Sequence, residues 1–277
     1  MGFLDRWRQT WRERREARVL TRRAIPDALW SNTLAQWPFL AERSAADLAE
    51  LRRLTSLFLD AKEFHAAGGL VMDDAIAVGI AAQASLPVLR KGLAAYAGFV
   101  GIVVHPDEVV ARRESVDEHG VHHAWDEVLA GEAMEGGPVM LSWRDVRAAG
   151  VVSGVAAGVG SDWGYNVVIH EFAHVLDMGD GVANGMPPLP NAERRADWIR
   201  VMDDEYAHFR TAVDRGRTTL LDPYGASGLE EFFAVASESF FVSAPAMRQQ
   251  HPALYDLLVG YYGQDPAAYL GQKQNAR

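Results

Sequence analysis

The sequence contains no cysteine. This excludes disulfides, thiolate zinc sites and a cysteine nucleophile, so any zinc must be held by imidazoles and carboxylates. Long apolar runs are also missing. The longest stretch, 75–89, is interrupted by Gln83 and Pro87, whereas a membrane-spanning helix needs about 20 apolar residues. Arg, Trp and Glu break up residues 1–23 and no apolar stretch of the kind a secretory signal carries follows them. Basic charge is scarce: 27 Lys and Arg stand against 37 Asp and Glu, for a net charge of −10. That balance argues against nucleic acid as a direct partner. The expectation is a soluble, cytoplasmic protein with no transmembrane segment.

What is present is ordinary for a globular chain. It has 277 residues, 49% hydrophobic and 23% charged, enough for one large domain with appendages. Charge is unevenly spread. Residues 1–24 carry eight Arg against Asp5, Glu13 and Glu16, a local +5 that leaves −15 for the remainder. With Trp7 and Trp11 interleaved, this start reads either as a basic helix for an acidic partner or lipid surface, or as a solvated extension. The solvated extension is the preferred reading.

Along the chain, Trp30, Leu34, Trp37 and Leu40, then Leu48, Leu51, Leu54, Phe58 and Leu59, recur at helical spacing, so 27–59 reads as helices with tryptophans in the core. Residues 62–69 end in a Gly68-Gly69 turn, and 75–86 is a small-residue helix limited by Pro87. Residues 99–106 and 138–143 are short and β-rich, predicting two strands, and 145–149 a short helix. His105, His119, His122 and His123 match no metal-binding spacing and are read as loop histidines. The Gly-rich segment 150–164 lacks dinucleotide-binding spacing and is read as a loop. Residues 192–213 form a long amphipathic helix with Trp198, Met202 and Phe209.

The chemistry centres on residues 167–177, Val-Val-Ile-His-Glu-Phe-Ala-His-Val-Leu-Asp, which contain His-Glu-x-x-His. On a helix His170 and His174 lie one turn apart on one face and can reach one ion. Glu171 is rotated by about 100° from His170 and can face the solvent side of that ion without binding it. This is the zinc-hydrolase arrangement, in which the carboxylate serves as general base. The surrounding apolar residues mark a buried helix, and buried His and Glu need partners. Met178-Gly179-Asp180-Gly181 supplies the stop. Asp177, on the ligand face, is either a hydrogen-bond partner for a ligand imidazole or a brace for the following loop.

A catalytic zinc needs three protein ligands and one open position. No third histidine follows His174 within 175–180, so a carboxylate must come from elsewhere. The acidic residues of 228–241, set in an aromatic run, are the candidates. Ser227 and Glu230 have capping-box spacing, which gives Glu230 a structural task. Glu231 and Glu238 lie seven apart on one face. Glu231 is preferred as ligand because the aromatics after it can anchor the helix, with Glu238 as an outer partner or an ordinary ion pair. Tyr224 precedes Glu231 by seven residues and, from spacing alone, is a surface turn tyrosine.

The 170–177 motif, the loop to Gly185-Met186-Pro187, Tyr224, and the 231–241 run followed by Ser243-Ala244-Pro245 resemble the Mlc titration factor A (MtfA) family of zinc peptidases. Residues 81–89 and the strand before Pro106 are similar as well. The likeness covers roughly 25–266, leaving 1–24 as an Arg-rich extension and 267–277 as a tail. The resemblance implies a gluzincin with one zinc per chain on His170, His174 and Glu231, and Glu171 as general base. The family's active site is similar to that of anthrax lethal factor, which implies that Tyr224 assists the reaction. The second glutamate of lethal factor falls on Val235 here, so its role does not carry over. The family is known for aminopeptidase activity on small substrates and for binding the repressor Mlc. The expectation is therefore an α+β, mainly helical, zincin-like domain with a small sheet beside the active-site helix, acting on peptide or protein substrates. The alternative is a non-catalytic regulator that sequesters a transcriptional repressor.

Overall fold

The helices begin where short polar residues or prolines make a start inexpensive. Residues 3–116, 122–134, 136–153 and 162–269 are described in the computed structural model. First come α1 (Phe3–Arg22), α2 (Asp27–Gln36), the single turn α3 (Pro38–Ala41) and α4 (Ala45–Ala61). Pro38 opens α3, where its missing N–H is no loss. The Ser44 hydroxyl accepts the Asp47 N–H at 3.1 Å and caps α4. Leu51, Leu54 and Phe58 form the buried stripe of α4, and Trp30 and Trp37 are in the core as the helical spacing predicts. The end of α1 packs on α4: Val19 is buried, Glu16 pairs with Arg53, and Arg22 reaches Asp60 at 2.5 Å. A solvated extension therefore does not describe this part of the helix.

Next are β1 (Glu63–Ala66), α5 (Asp74–Ser85), β2 (Gly101–His105), β3 (Val109–Val116), β4 (His122–Leu129), β5 (Gly131–Ala133) and β6 (Val139–Ser142). One four-stranded sheet has the order β1-β2-β6-β5, with β1, β2 and β6 parallel and β5 antiparallel at the edge. Ile102, Val104, Val139 and Leu141 bury its inner face. The expected strands at 99–106 and 138–143 are β2 and β6. β1 is a strand where the sequence reading saw only a turn, because parallel pairing with β2 supplies what four residues of modest propensity cannot.

β3 and β4 form a separate antiparallel ribbon that the sequence reading missed. Charged residues interrupt both strands and the apolar ones do not alternate with polar ones, so period-two patterning gave no signal. His122 and His123 open β4, His105 ends β2, and His119 lies outside the described residues. After α6 (Trp143–Ala148) come β7 (Gly150–Ser153) and β8 (Asp162–Tyr165), paired from Gly150↔Tyr165 to Ser153↔Asp162. The expected loop at 150–164 is thus a strand pair at both ends, and 154–161 lie outside the described residues.

The rest is helical: α7 (Val167–Asp177), α8 (Ala192–Asp214), α9 (Leu229–Val242), α10 (Ala244–Gln250) and α11 (Pro252–Tyr262). The domain is α+β and mainly helical, as expected. α7 lies between α9, α5 and the edge strand β5. Phe172 fixes it from below, with ring centroids 4.9 Å from Tyr96 and 5.6 Å from both Phe58 and Phe99. On α9, Phe233 packs on Trp198 at 5.5 Å and Phe240 on Tyr262 at 5.5 Å. Such pairs add roughly 0.5–1.5 kcal/mol each beyond burial, so the two helices that carry the candidate site are held by aromatic contacts on their other faces. Among the described residues, no helix is long and apolar enough to cross a membrane.

Candidate metal centre

His170 and His174 project from one face of α7, and Glu231 enters from the first turn of α9. Nε2 of His170 lies 3.0 Å from Glu231 Oε2 and 3.2 Å from His174 Nε2, and the third side of the triangle is 3.3 Å. Tetrahedral ligands at about 2.0–2.2 Å from an ion are separated from one another by about 3.3–3.6 Å. The three atoms lie slightly closer than three corners of such a tetrahedron and need to part by only a few tenths of an ångström to hold one ion. Among the described residues they are the one group of metal-ligand type whose atoms converge. The structure brings together the three side chains expected from the sequence.

The charges support the same reading. Burial alone would lower the His170 pKa, but carboxylates at both ring nitrogens, Glu231 and Glu238, outweigh it and hold the pKa well above the usual value. Burial would raise that of Glu231, yet hydrogen bonds from His170 and His174 keep its carboxyl well below the usual range. Positive charge is thus favoured where the three side chains meet.

Glu238 resolves the choice left open by the seven-residue spacing. Its Oε1 accepts from His170 Nδ1 at 2.7 Å, and its Oε2 accepts the Asn166 N–H. Asn166 caps α7 by accepting the Ile169 N–H at 2.8 Å, while its amide donates to Gln83 Oε1 at 2.8 Å. A buried chain Gln83–Asn166–Glu238 therefore aims Nε2 of His170 at the centre, the task of outer-shell carboxylates in metal sites. Sequence reasoning missed Gln83 and Asn166. The available signals were a lone amide in an apolar helix and an Asn just before an apolar run. Glu238→Gln should weaken metal binding or activity about 10–100-fold, measured by chelator competition.

Asp177 takes the other of its two open roles. It accepts the Gly185 N–H at 2.7 Å, bonds to no imidazole among the described residues, and so braces the loop before α8. The expected capping box at 227–230 is absent: Gly228 is the N-cap, and Ser227 donates instead to the Tyr224 carbonyl at 2.7 Å. That bond, with the Asp222 carboxylate accepting the Tyr224 N–H at 2.9 Å, fixes the turn bearing Tyr224. The Tyr224 ring is 6.1 Å from that of His170 and 52% exposed. Val235 is buried and lines the cleft, an apolar group where lethal factor has its second glutamate.

Glu171 is 4% exposed, and its Oε2 has no hydrogen-bond partner among the described residues. Burial pushes its pKa up to about 7, against the pull of the two imidazoles. It faces a cleft with two lobes of about 230 and 250 Å³, both lined by Gly131, His170, Glu171 and Tyr224. A Cβ at Gly131 would lie 2.5 Å from Glu171 Oε1 and 2.7 Å from its Cγ. Only a bare backbone on β5 leaves the carboxylate where it is. Gly131→Ala should keep the metal and lower kcat about tenfold or more, given the sensitivity of catalysis to ångström displacements; metal content and steady-state kinetics together check this.

The chain is similar to known proteins over most of its length. The family described as glucose-regulated metallo-peptidase M90 matches residues 8–263. An uncharacterised protein of Synechocystis is 34% identical over 260 residues, spanning 92% of this chain and 89% of that protein. Mlc titration factor A of Yersinia pestis and that of Yersinia pseudotuberculosis are each 30% identical over 252 residues, spanning 88% of this chain and 89% of theirs.

Proposed function

Because the chain belongs to the glucose-regulated metallo-peptidase M90 family, that of the MtfA proteins, we propose that it is a zinc-dependent peptidase of the gluzincin type. The observation that carries this reading is the triangle of His170, His174 and Glu231 beside a buried carboxylate with an unpartnered oxygen. His170 and His174 would hold the zinc through Nε2 and Glu231 through Oε2, leaving one position open to solvent. When bound, zinc supplies a Lewis acid that acidifies water and polarises a carbonyl. Glu171 takes the proton that water releases and delivers it to the leaving amine. Tyr224 donates its hydroxyl to the oxyanion. The open edge of β5 offers backbone groups to an extended peptide. Glu132 and Glu230 line the same cleft, and their charge suits the ammonium of a peptide N-terminus, which favours aminopeptidase-like cleavage of small substrates.

Metal analysis of the purified chain combined with a peptide-library cleavage assay tests the proposal. Stoichiometric zinc and chelator-sensitive cleavage are expected; a chain that takes up no divalent metal under any condition would reject it. The sign of the pH dependence follows from His170. Carboxylates at both ring nitrogens raise its pKa and favour the protonated ring, whose proton a metal ion must displace. Apparent affinity should therefore rise with pH. Dissociation constants at three pH values would read this slope, and a flat response would contradict it.

The Yersinia relatives are named for titrating Mlc, and on that name rests a second reading, capture of a transcriptional repressor. Equal capture of a repressor by wild type and Glu171→Gln, with no turnover by either, would favour it over the peptidase.

A further inference from the structure

A recess of about 190 Å³ adjoins the metal cleft, walled by Ala94, Phe99, Met134, Val139, Val175 and Met178. Met178 also lines the cleft itself, so one side chain borders both spaces. Their relation follows from helix geometry. Glu171, Val175 and Met178 lie four and seven residues apart along one stripe of α7 and its terminal turn. β5 packs beside that helix and begins at Gly131, against the Glu171 carboxylate. Three residues on, Met134 lines the recess with Val175 and Met178. Strand and helix thus run side by side from the reacting position to the apolar one.

We infer that this recess is a side-chain subsite for the proposed peptidase, holding a medium-sized aliphatic residue of the substrate, Leu or Met, on the N-terminal side of the cleaved bond. The inference rests on the peptidase reading. The assignment takes the peptide as antiparallel to β5, the pairing that turns its N-terminal side toward Met134. Its chemistry follows from the side chains described in the wall, Ala94, Phe99, Met134, Val139, Val175 and Met178, which are apolar, and from the volume, which is below the roughly 300–1,000 Å³ of a whole-ligand pocket. Met134 is 43% exposed, and a flexible thioether at the mouth can adapt to more than one aliphatic shape. Gly137 packs closely on Met134. Gly137 N–H donates to the Met134 carbonyl at 3.0 Å, and a Cβ at Gly137 would come within 2.9 Å of Met134 Cβ.

The test uses the full zinc-loaded chain and a peptide library varied at the positions before the scissile bond. Wild type should prefer Leu or Met over Asp or Lys by at least tenfold in kcat/KM, because an apolar pocket that discriminates one methylene by roughly 10–200-fold must also desolvate a charged side chain without a partner. Ala94→Phe adds bulk to the recess wall at a position outside α7 and should lose that preference while still cleaving peptides with Gly at that position. Met134→Glu should move the preference toward Lys or Arg, a gain that a merely unfolded variant does not give. Retention of the wild-type profile by both variants, or a wild type indifferent to this residue, would overturn the inference while leaving the peptidase intact. The same peptides titrated against zinc-loaded Glu171→Gln separate the two readings. Selective binding of Leu and Met peptides without turnover by wild type would overturn the peptidase reading and keep the subsite. Neither binding nor turnover would overturn both.

Discussion

Glu171→Gln is expected to retain zinc and to lose peptide hydrolysis by about 10²–10⁴-fold, the range that a positioned general base contributes. The substitution keeps the size of the side chain and removes its basicity. It should not disturb the metal, because the three convergent ligand atoms come from His170, His174 and Glu231 and not from Glu171. It should not disturb packing either, because the side chain keeps its place against Gly131. The wild-type rate has a sign in pH that the variant lacks. Burial raises the Glu171 pKa to about 7, and the base acts only when ionised, so kcat/KM should fall as pH drops through the pKa of that carboxyl. A bound cation nearby lowers that pKa and shifts the falling limb to more acid pH. Metal content by elemental analysis and pH profiles on one peptide would check both statements. Full activity in the variant would reject Glu171 as base.

The parts of this site that could be read from the sequence are those confined to one helix. His170 and His174 are one turn apart on α7, and that periodicity needs no knowledge of the fold. Glu231 was found because a carboxylate amid Phe232, Phe233, Phe240 and Phe241 is costly unless something pairs with it. Its distinction from Glu238 was only a preference, since seven residues place both on the same face. The structure separates them by which ring nitrogen of His170 each meets, Nε2 for Glu231 and Nδ1 for Glu238. Contacts between distant segments carry no period and were not legible. Gln83 lies 83 residues before Asn166 and meets it only because α5 packs on α7. Gly131 matters through its lack of a side chain beside Glu171, which no pattern of residue types announces. In the fold, the amphipathic helices were legible from their apolar spacing, whereas β1 and the β3–β4 ribbon depend on partners that lend short or charged segments their conformation. The capping box at Ser227 failed for a related reason: the 3₁₀ turn Pro223–Ala226 is packed on α9 through Gly225, so Ser227 bonds back to Tyr224 rather than forward into the helix.

Glu231→Ala is expected to abolish metal binding at micromolar zinc, and hydrolysis with it, where Glu171→Gln spares the metal. Two imidazoles 3.2 Å apart would remain, and neither has the negative charge that offsets a divalent cation. The loss should exceed the roughly 10–100-fold that an outer-shell partner costs, since a direct ligand disappears. Stability supplies a second readout. A ligand present at about a thousand times its dissociation constant stabilises the folded chain by about 4 kcal/mol, so zinc should raise the melting temperature of wild type and of Glu171→Gln but not of Glu231→Ala. The metal-free proteins differ in a predictable direction as well. Removing Glu231 takes away one of the two carboxylates that hold the His170 proton, while Glu238 stays on Nδ1, so the His170 pKa should fall and remain visible to NMR titration. A Glu231→Ala chain that binds zinc as tightly as wild type would show that this carboxylate is not the third ligand. Within the described residues no other acid reaches both imidazoles, and the gluzincin assignment would then fail with it.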